Sequence, residues 1–214
     1  MNKNIYALML TAPLLFTACT TSSILPTVEN KTEEKITTAE TTLETTTPTE
    51  LTVNFIKSED IKKSGMLHIK SFMGTLKPTL KSLIQSDKTF KTAMGGCTSM
   101  AMKMTDDYNN ISETKIRRTA LKYRNPLNAP DATDTKVMER FLASQNFNEP
   151  LVVEMPNNYR VYKALDMKKP CLACHGTNIS KDLTEMLLKT YPTDLATNFQ
   201  LGEFRGVVVA EVQK

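Results

Sequence analysis

Residues 150–176 read PLVVEMPNNYRVYKALDMKKPCLACHG. Two runs rich in β-branched and aromatic residues, PLVVEM and YRVYKALDM, flank the turn residues Pro156, Asn157 and Asn158. That pattern predicts a β-hairpin. Downstream, a helix is predicted from about Ser180 to Lys189, and the β-rich EFRGVVVAEV (203–212) closes the chain as a final strand.

Upstream the period changes from two to about 3.6. From Ser58 the chain reads SEDIKKSGMLHIKSFMGTLKPTLKSLIQ, with a capping serine, acids in the first turn, and Ile61, Phe72, Leu76, Leu80 and Leu83 at roughly helical spacing. Pro78 is expected to kink or divide this helix. A second helix is predicted over about Lys88 to Asp106, where Phe90, Met94, Cys97, Ala101 and Met104 form one stripe. Gly95 and Gly96 each cost such a helix about 1 kcal/mol against alanine, so something is expected to approach that backbone closely. A strand ending at Asn125-Pro126 and a short helix near Thr135 to Ala143 complete the chain. Helices followed by strands in hairpin order indicate α+β with an antiparallel sheet.

The hairpin runs directly into Cys171-Leu172-Ala173-Cys174-His175. Cys-x-x-Cys-His permits two thioether bonds to haem vinyl groups, while the adjacent imidazole reaches the iron. Zinc needs four ligands, and neighbouring Cys174 and His175 are awkward partners on one tetrahedral ion. A thioredoxin-type disulfide belongs in a βαβ setting that the long upstream helices do not supply. A structural disulfide would leave the histidine idle. One covalent haem c, with His175 as an axial ligand, accounts for the whole motif.

A small electron-carrying cytochrome takes its sixth ligand from a methionine well downstream of the motif. Here the only methionine after His175 is Met186. The second ligand must then come from upstream or be absent. From the residues alone the choice stays open among His68, the methionines at 94, 100, 102 and 104, and Cys97. His68 is as plausible on a helix surface, and methionines at helical spacing usually fill cores.

The first 50 residues have another character. MNKNIYALMLTAPLLFTACTTSS has a lysine, an apolar run too short to span a bilayer, and small residues ending at Cys19. It resembles a bacterial lipoprotein signal, with Phe16 to Cys19 as the lipobox and Cys19 as the lipidated residue. Residues 37–49 hold eight threonines with no apolar period, so 19–52 is expected to be a flexible tether between a signal peptide (1–18) and a folded domain (53–214). Residues 51–214 carry 24 Lys plus Arg against 17 Asp plus Glu. This surplus suits an anionic partner or cofactor, or simply a solvated surface. No basic cluster interleaves with aromatics, which disfavours nucleic acid.

GGCTSMA (95–101), IRRTALKYRNPLNAPD (116–131), CLACHG (171–176) and YPTDLATNFQLGEFRGVVV (191–209) together resemble the c-type haem, PAS-like domains. These occur as stand-alone exported proteins and as extracytoplasmic input domains of histidine kinases. The resemblance implies a PAS-like antiparallel sheet with long N-terminal helices packed on it, and one covalent haem. It implies Cys171 and Cys174 as thioether links, His175 as axial ligand and Cys97 as the second axial ligand. Arg118 and Arg124 fall in the family's Arg-Thr and Arg-Asn-Pro motifs, where they suit propionate contact or equally the joining of sheet and loop. This sequence departs from the family in lacking a proline just after the cysteine motif. It also has Thr133-Asp134 in place of an aromatic-acid pair, Asn198 for a usual glycine and Glu203 for a usual aspartate.

The expected protein is therefore exported and lipid-anchored at Cys19 on the periplasmic face of a bacterial membrane. A redox or small-gas sensor role fits thiolate ligation, which lowers the reduction potential. Periplasmic electron transfer is the rival role. Catalysis such as peroxidase chemistry needs a distal base, and with only His68 to spare no catalytic residue is assigned.

Overall fold

The computed structural model describes residues 51–87, 89 and 91–214, without the side chains of residues 93, 97 and 98. The expectations for the signal peptide, the tether up to residue 50 and Cys19 lie outside the described residues.

Five antiparallel strands, β1 (Phe55–Ile56), β2 (Lys115–Thr119), β3 (Leu151–Glu154), β4 (Asn158–Asp166) and β5 (Phe204–Gln213), form one sheet in the order β1-β3-β4-β5-β2. The β3–β4 hairpin is the predicted one, with Val152 opposite Val161. β5 is an interior strand covered on both faces: Val207, Val208, Val209 and Ala210 are each fully buried. Alternation then sorts the side chains. Val152, Val161, Val208 and Ala210 face Ile69, Phe72, Leu76 and Ala101 of the N-terminal helices. Val153, Tyr162, Val207 and Val209 face Val137, Met138 and Phe141 on the other side.

The first face is covered by α1 (Glu59–Ser86), capped by the Ser58 hydroxyl, which accepts from the Ile61 N–H. Pro78 lies inside α1 and does not divide it. Pro78 and Gly74, whose carbonyl loses its helical partner, are both exposed, so water can take that bond. Gly65 is where α1 presses on the sheet, since a Cβ there would overlap the Val161 side chain.

The predicted second helix is α2 (Lys91–Gly95), a π-helical turn (Gly96–Met100) and α3 (Ala101–Ile111) in unbroken succession. Gly96 is buried, and a Cβ there would overlap Leu83 of α1. The close approach expected at the glycine pair is thus helix packing at Gly96, whereas a Cβ at Gly95 would meet open space.

α4 (Ala132–Ser144) covers the second face and starts earlier than expected because Asp131 and Asp134 make a capping box. Asp134 is fully buried and takes two hydrogen bonds from Arg117, at 2.6 and 2.7 Å, and one from the Tyr162 hydroxyl at 2.9 Å. Arg160 donates to Asp131 at 2.6 Å, and Glu211 lies 3.2 and 3.3 Å from Arg117 and Arg160. Two short helices, α5 (Leu172–His175) and α6 (Lys181–Thr190), occupy the segment between β4 and β5.

Candidate cofactor site

The chain leaves β4 at Asp166, and buried Met167 anchors both ends of the following excursion. Its N–H donates to Glu203 O at 2.8 Å, and its carbonyl accepts from Gly202 N at 2.9 Å. A 3-10 turn (Lys169–Cys171) leads into α5, which Gly176 ends by donating to Leu172 O at 2.9 Å. Cys171 and Cys174 are three apart on this turn and therefore share a face; both are half-buried. Cys171 and Leu172 pack on a separate apolar cluster of Met167, Ala196 and Phe199.

The returning strand of this excursion grips the motif through the backbone. Phe199 N donates to His175 O at 2.9 Å and Asn198 N to Gly176 O at 3.1 Å, forming a parallel bridge between Gly176 and Phe199. Asn198 adopts φ = +61°, the left-handed conformation that asparagine tolerates where glycine is usual.

His175 is fixed by the same segment. Its Nδ1 lies 2.7 Å from the Ala196 carbonyl, an acceptor only, so Nδ1 carries the proton and Nε2 the lone pair. Desolvation by burial, then repulsion from Arg205 and Arg124, pushes the imidazole down to about 3, against the opposing pull of Ala196 O. The ring is a neutral base throughout the physiological range, the form that ligates metals. The Phe199 ring stands edge-on to it, with centroids 6.5 Å apart.

Arg124 is committed to the polypeptide. Its Nε donates to Asp194 Oδ2 at 2.8 Å, and its Nη2 to Cys174 O at 2.6 Å and Ala196 O at 3.3 Å. It thereby joins the loop after β2 to both halves of the motif's support. The Asp194 side chain is only 3% exposed and also accepts from Ala196 N at 2.8 Å. Arg118, on β2, donates to Ala101 O at 3.3 Å, at the end of the π-helical turn. That turn carries Cys97, whose side chain lies outside the described residues. His68 is half-buried on α1 and pairs with Tyr108 of α3 at 2.8 Å. The structure thus gathers His175, Cys171, Cys174 and Arg124 at one place, and engages His68 with α3. Among the candidate methionines, Met104 packs against the α1-side core and Met102 Sδ lies 3.9 Å from Arg118.

Arg205, Asp194, Phe199 and Lys122 went unnoticed in the sequence as site residues. Arg205 Nη1 donates to Lys122 O at 3.0 Å, and its Cζ sits 5.3 Å from the Phe199 ring centroid, with Lys122 Nζ 4.2 Å from the same centroid. Three of the four belong to the run 191–209, where position before Gly206 was the only signal for Arg205.

Among the described residues no group of three or more His, Cys, Asp or Glu is placed to hold a metal ion. Covalent haem does not require such a group. The residues present fit it on three counts: a neutral imidazole with its lone pair on Nε2, two thiols on one face of a turn, and a surplus of guanidinium groups beside them.

A two-faced antiparallel sheet with long helices on one side and a Cys-x-x-Cys-His turn in the β4–β5 segment defines a PAS-like α+β domain. The Tll0287-like family model matches residues 20–212, and the chain belongs to that family. The crystal structure of the cyanobacterial haem protein Tll0287 is similar, with a TM-score of 0.58 at 22% identity, covering 74% of this chain and 98% of that one. No curated protein matches.

Proposed function

We propose that this chain is an exported, lipid-anchored c-type haem protein that senses redox state or a small gas. Cys171 and Cys174 form the thioether links, His175 supplies one axial ligand through Nε2, and Cys97 supplies the other. The observation that carries this is the 2.7 Å contact of His175 Nδ1 with Ala196 O, which fixes the ligating tautomer before any cofactor arrives. The structurally similar cyanobacterial protein is itself a haem protein, which supports the same cofactor here.

When bound, the haem supplies a one-electron couple and an axial position for a diatomic ligand. The chain's residues do the rest. Ala196 and Arg124 hold the imidazole and its loop, while the π-helical turn Gly96–Met100 contains Cys97. A π turn carries an extra residue relative to α-helix and often marks functional sites. Were the Cys97 sulfur to ligate the haem iron, its release on reduction or gas binding would let the turn relax where Gly96 packs on Leu83 of α1, a two-state element biased by the iron. The anchor is lipid at Cys19; among the described residues no helix is long and apolar enough to cross a membrane.

The test is expression with a haem maturation system, followed by ferric EPR of wild type and Cys97→Ala. A low-spin thiolate signature present in wild type and absent from the variant is expected; its survival in the variant rejects the ligand assignment. Stopped-flow mixing of the ferrous protein with NO or CO tests the role. Absence of ligand binding together with fast exchange with a periplasmic cytochrome would replace sensing by electron transfer.

A further inference from the structure

Two arginines beside the cysteine motif are used differently. Arg124 spends its Nε and Nη2 donors on Asp194, Cys174 O and Ala196 O. Arg205 stands at the start of β5, one residue before Gly206, and bonds the polypeptide only through Nη1 to Lys122 O, among the described residues. Its remaining donors and its charge find no ion pair there. Asp194 is the acid that most favours its charge, and its Oδ2 is held by Arg124 at 2.8 Å.

The electrostatics agree. Burial first, then Arg124, pulls the Arg205 guanidinium down to about 10; Arg118 adds to this, while Asp194 and the Cys171 thiol oppose it. A half-buried cation in that position calls for an anion that arrives with the cofactor.

We propose that Arg205 binds a propionate carboxylate of the haem, and that Arg124 holds the polypeptide instead. This rests on the haem assignment above. Phe199 supports the arrangement: its ring contacts the Arg205 and Lys122 cations and stands edge-on to His175, so the propionate partner and the axial ligand share one rigid neighbour. Gly206 makes the position attainable. Its φ is +146°, and a Cβ there would lie 2.5 Å from Thr119 O, so β5 enters the sheet with Arg205 drawn close to the end of β2.

The experiment uses the full-length holoprotein as wild type, Arg205→Gln, Arg205→Lys and Arg124→Gln. Pyridine haemochrome absorption reads covalent attachment, redox titration reads the midpoint potential, and resonance Raman reads the propionate bending bands. Arg205→Gln is expected to keep covalent haem, to shift a propionate band, and to lower the ferrous-to-ferric ratio at fixed ambient potential about tenfold, or about 59 mV for one electron. Loss of a positive charge favours the ferric state, which sets that direction. Arg205→Lys should hold the ratio within threefold yet still shift the band, because an ammonium cannot reproduce the guanidinium fork. An unshifted band in Arg205→Lys overturns the proposal even where the glutamine variant fails to fold. So does a ferrous-to-ferric ratio in Arg205→Gln within twofold of wild type, which is also the result expected if Arg205 is offset by a solvent anion. Absence of covalent haem from wild type rejects the haem assignment itself, a different outcome from either.

Discussion

Two arginine clusters lie in this small domain, and their charge balance differs. On the α4 side, Arg117 and Arg160 meet Asp131, Asp134 and Glu211, and Tyr162 closes the set. Burial pushes both guanidinium groups down, yet Asp134 for Arg117 and Asp131 for Arg160 outweigh it and raise them. Beside the cysteine motif, Arg124 pairs with Asp194 while Arg205 bonds only the Lys122 carbonyl among the described residues, and there burial and like charge win at Arg205. A folded chain satisfies its own charges where the purpose is to hold a sheet and a helix together. At Arg205, by contrast, no acid among the described residues forms an ion pair.

Four changes break or sharpen that contrast. Asp134→Ala should be the most damaging, lowering unfolding stability in urea by about 3–5 kcal/mol, because it removes the acceptor of two Arg117 hydrogen bonds and of the buried Tyr162 hydroxyl. Arg124→Gln should follow, at about 2–3 kcal/mol for the lost charged hydrogen bonds. Its signature is local: exchange protection of the Gly176, Asn198 and Phe199 amides should fall before that of β5. Gly96→Ala should cost about 1–3 kcal/mol by forcing a methyl into Leu83, with Leu83→Ala as a partial rescue. The effect smallest near neutral pH is pH-linked. Because the His175 pKa falls from its ordinary 6.5 to about 3 on folding, the unfolded haem-free chain binds more protons between those values. Stability should therefore be full above about pH 6.5 and decline as pH falls towards 3. Comparison with His175→Gln isolates this slope by urea titration at each pH.

Most of the sheet was legible in the sequence because its signals are local. The β3–β4 hairpin follows from its turn residues, and β5 from a β-branched run buried on both faces. β2 proved shorter than its pattern suggested. After Thr119 the backbone turns to bond Asn128 O, and Arg124 is drawn to Asp194, 70 residues away. β1 has two residues, too few to show alternation. The π-helical turn was hidden because a 3.6-residue period absorbs one extra residue without visible loss of stripe. Of the site, Cys171, Cys174 and His175 announce themselves by spacing. Arg205 and Asp194 could not: a lone arginine or aspartate carries no period, and their meaning comes only from which carbonyls and charges the fold places around them.

β4 and β5 pair continuously from Asn158 opposite Gln213 to Asp166 opposite Phe204, with one irregularity at Leu165/Asp166. The whole cysteine segment is thus spliced into the crossing point of two neighbouring strands, outside the ladder that sets their register. Loop-closure entropy grows only slowly with length. Insertions, deletions or exchanged motifs between residues 168 and 202 can therefore accumulate without shifting a single strand pair. The scaffold and its chemistry are free to diverge at different rates.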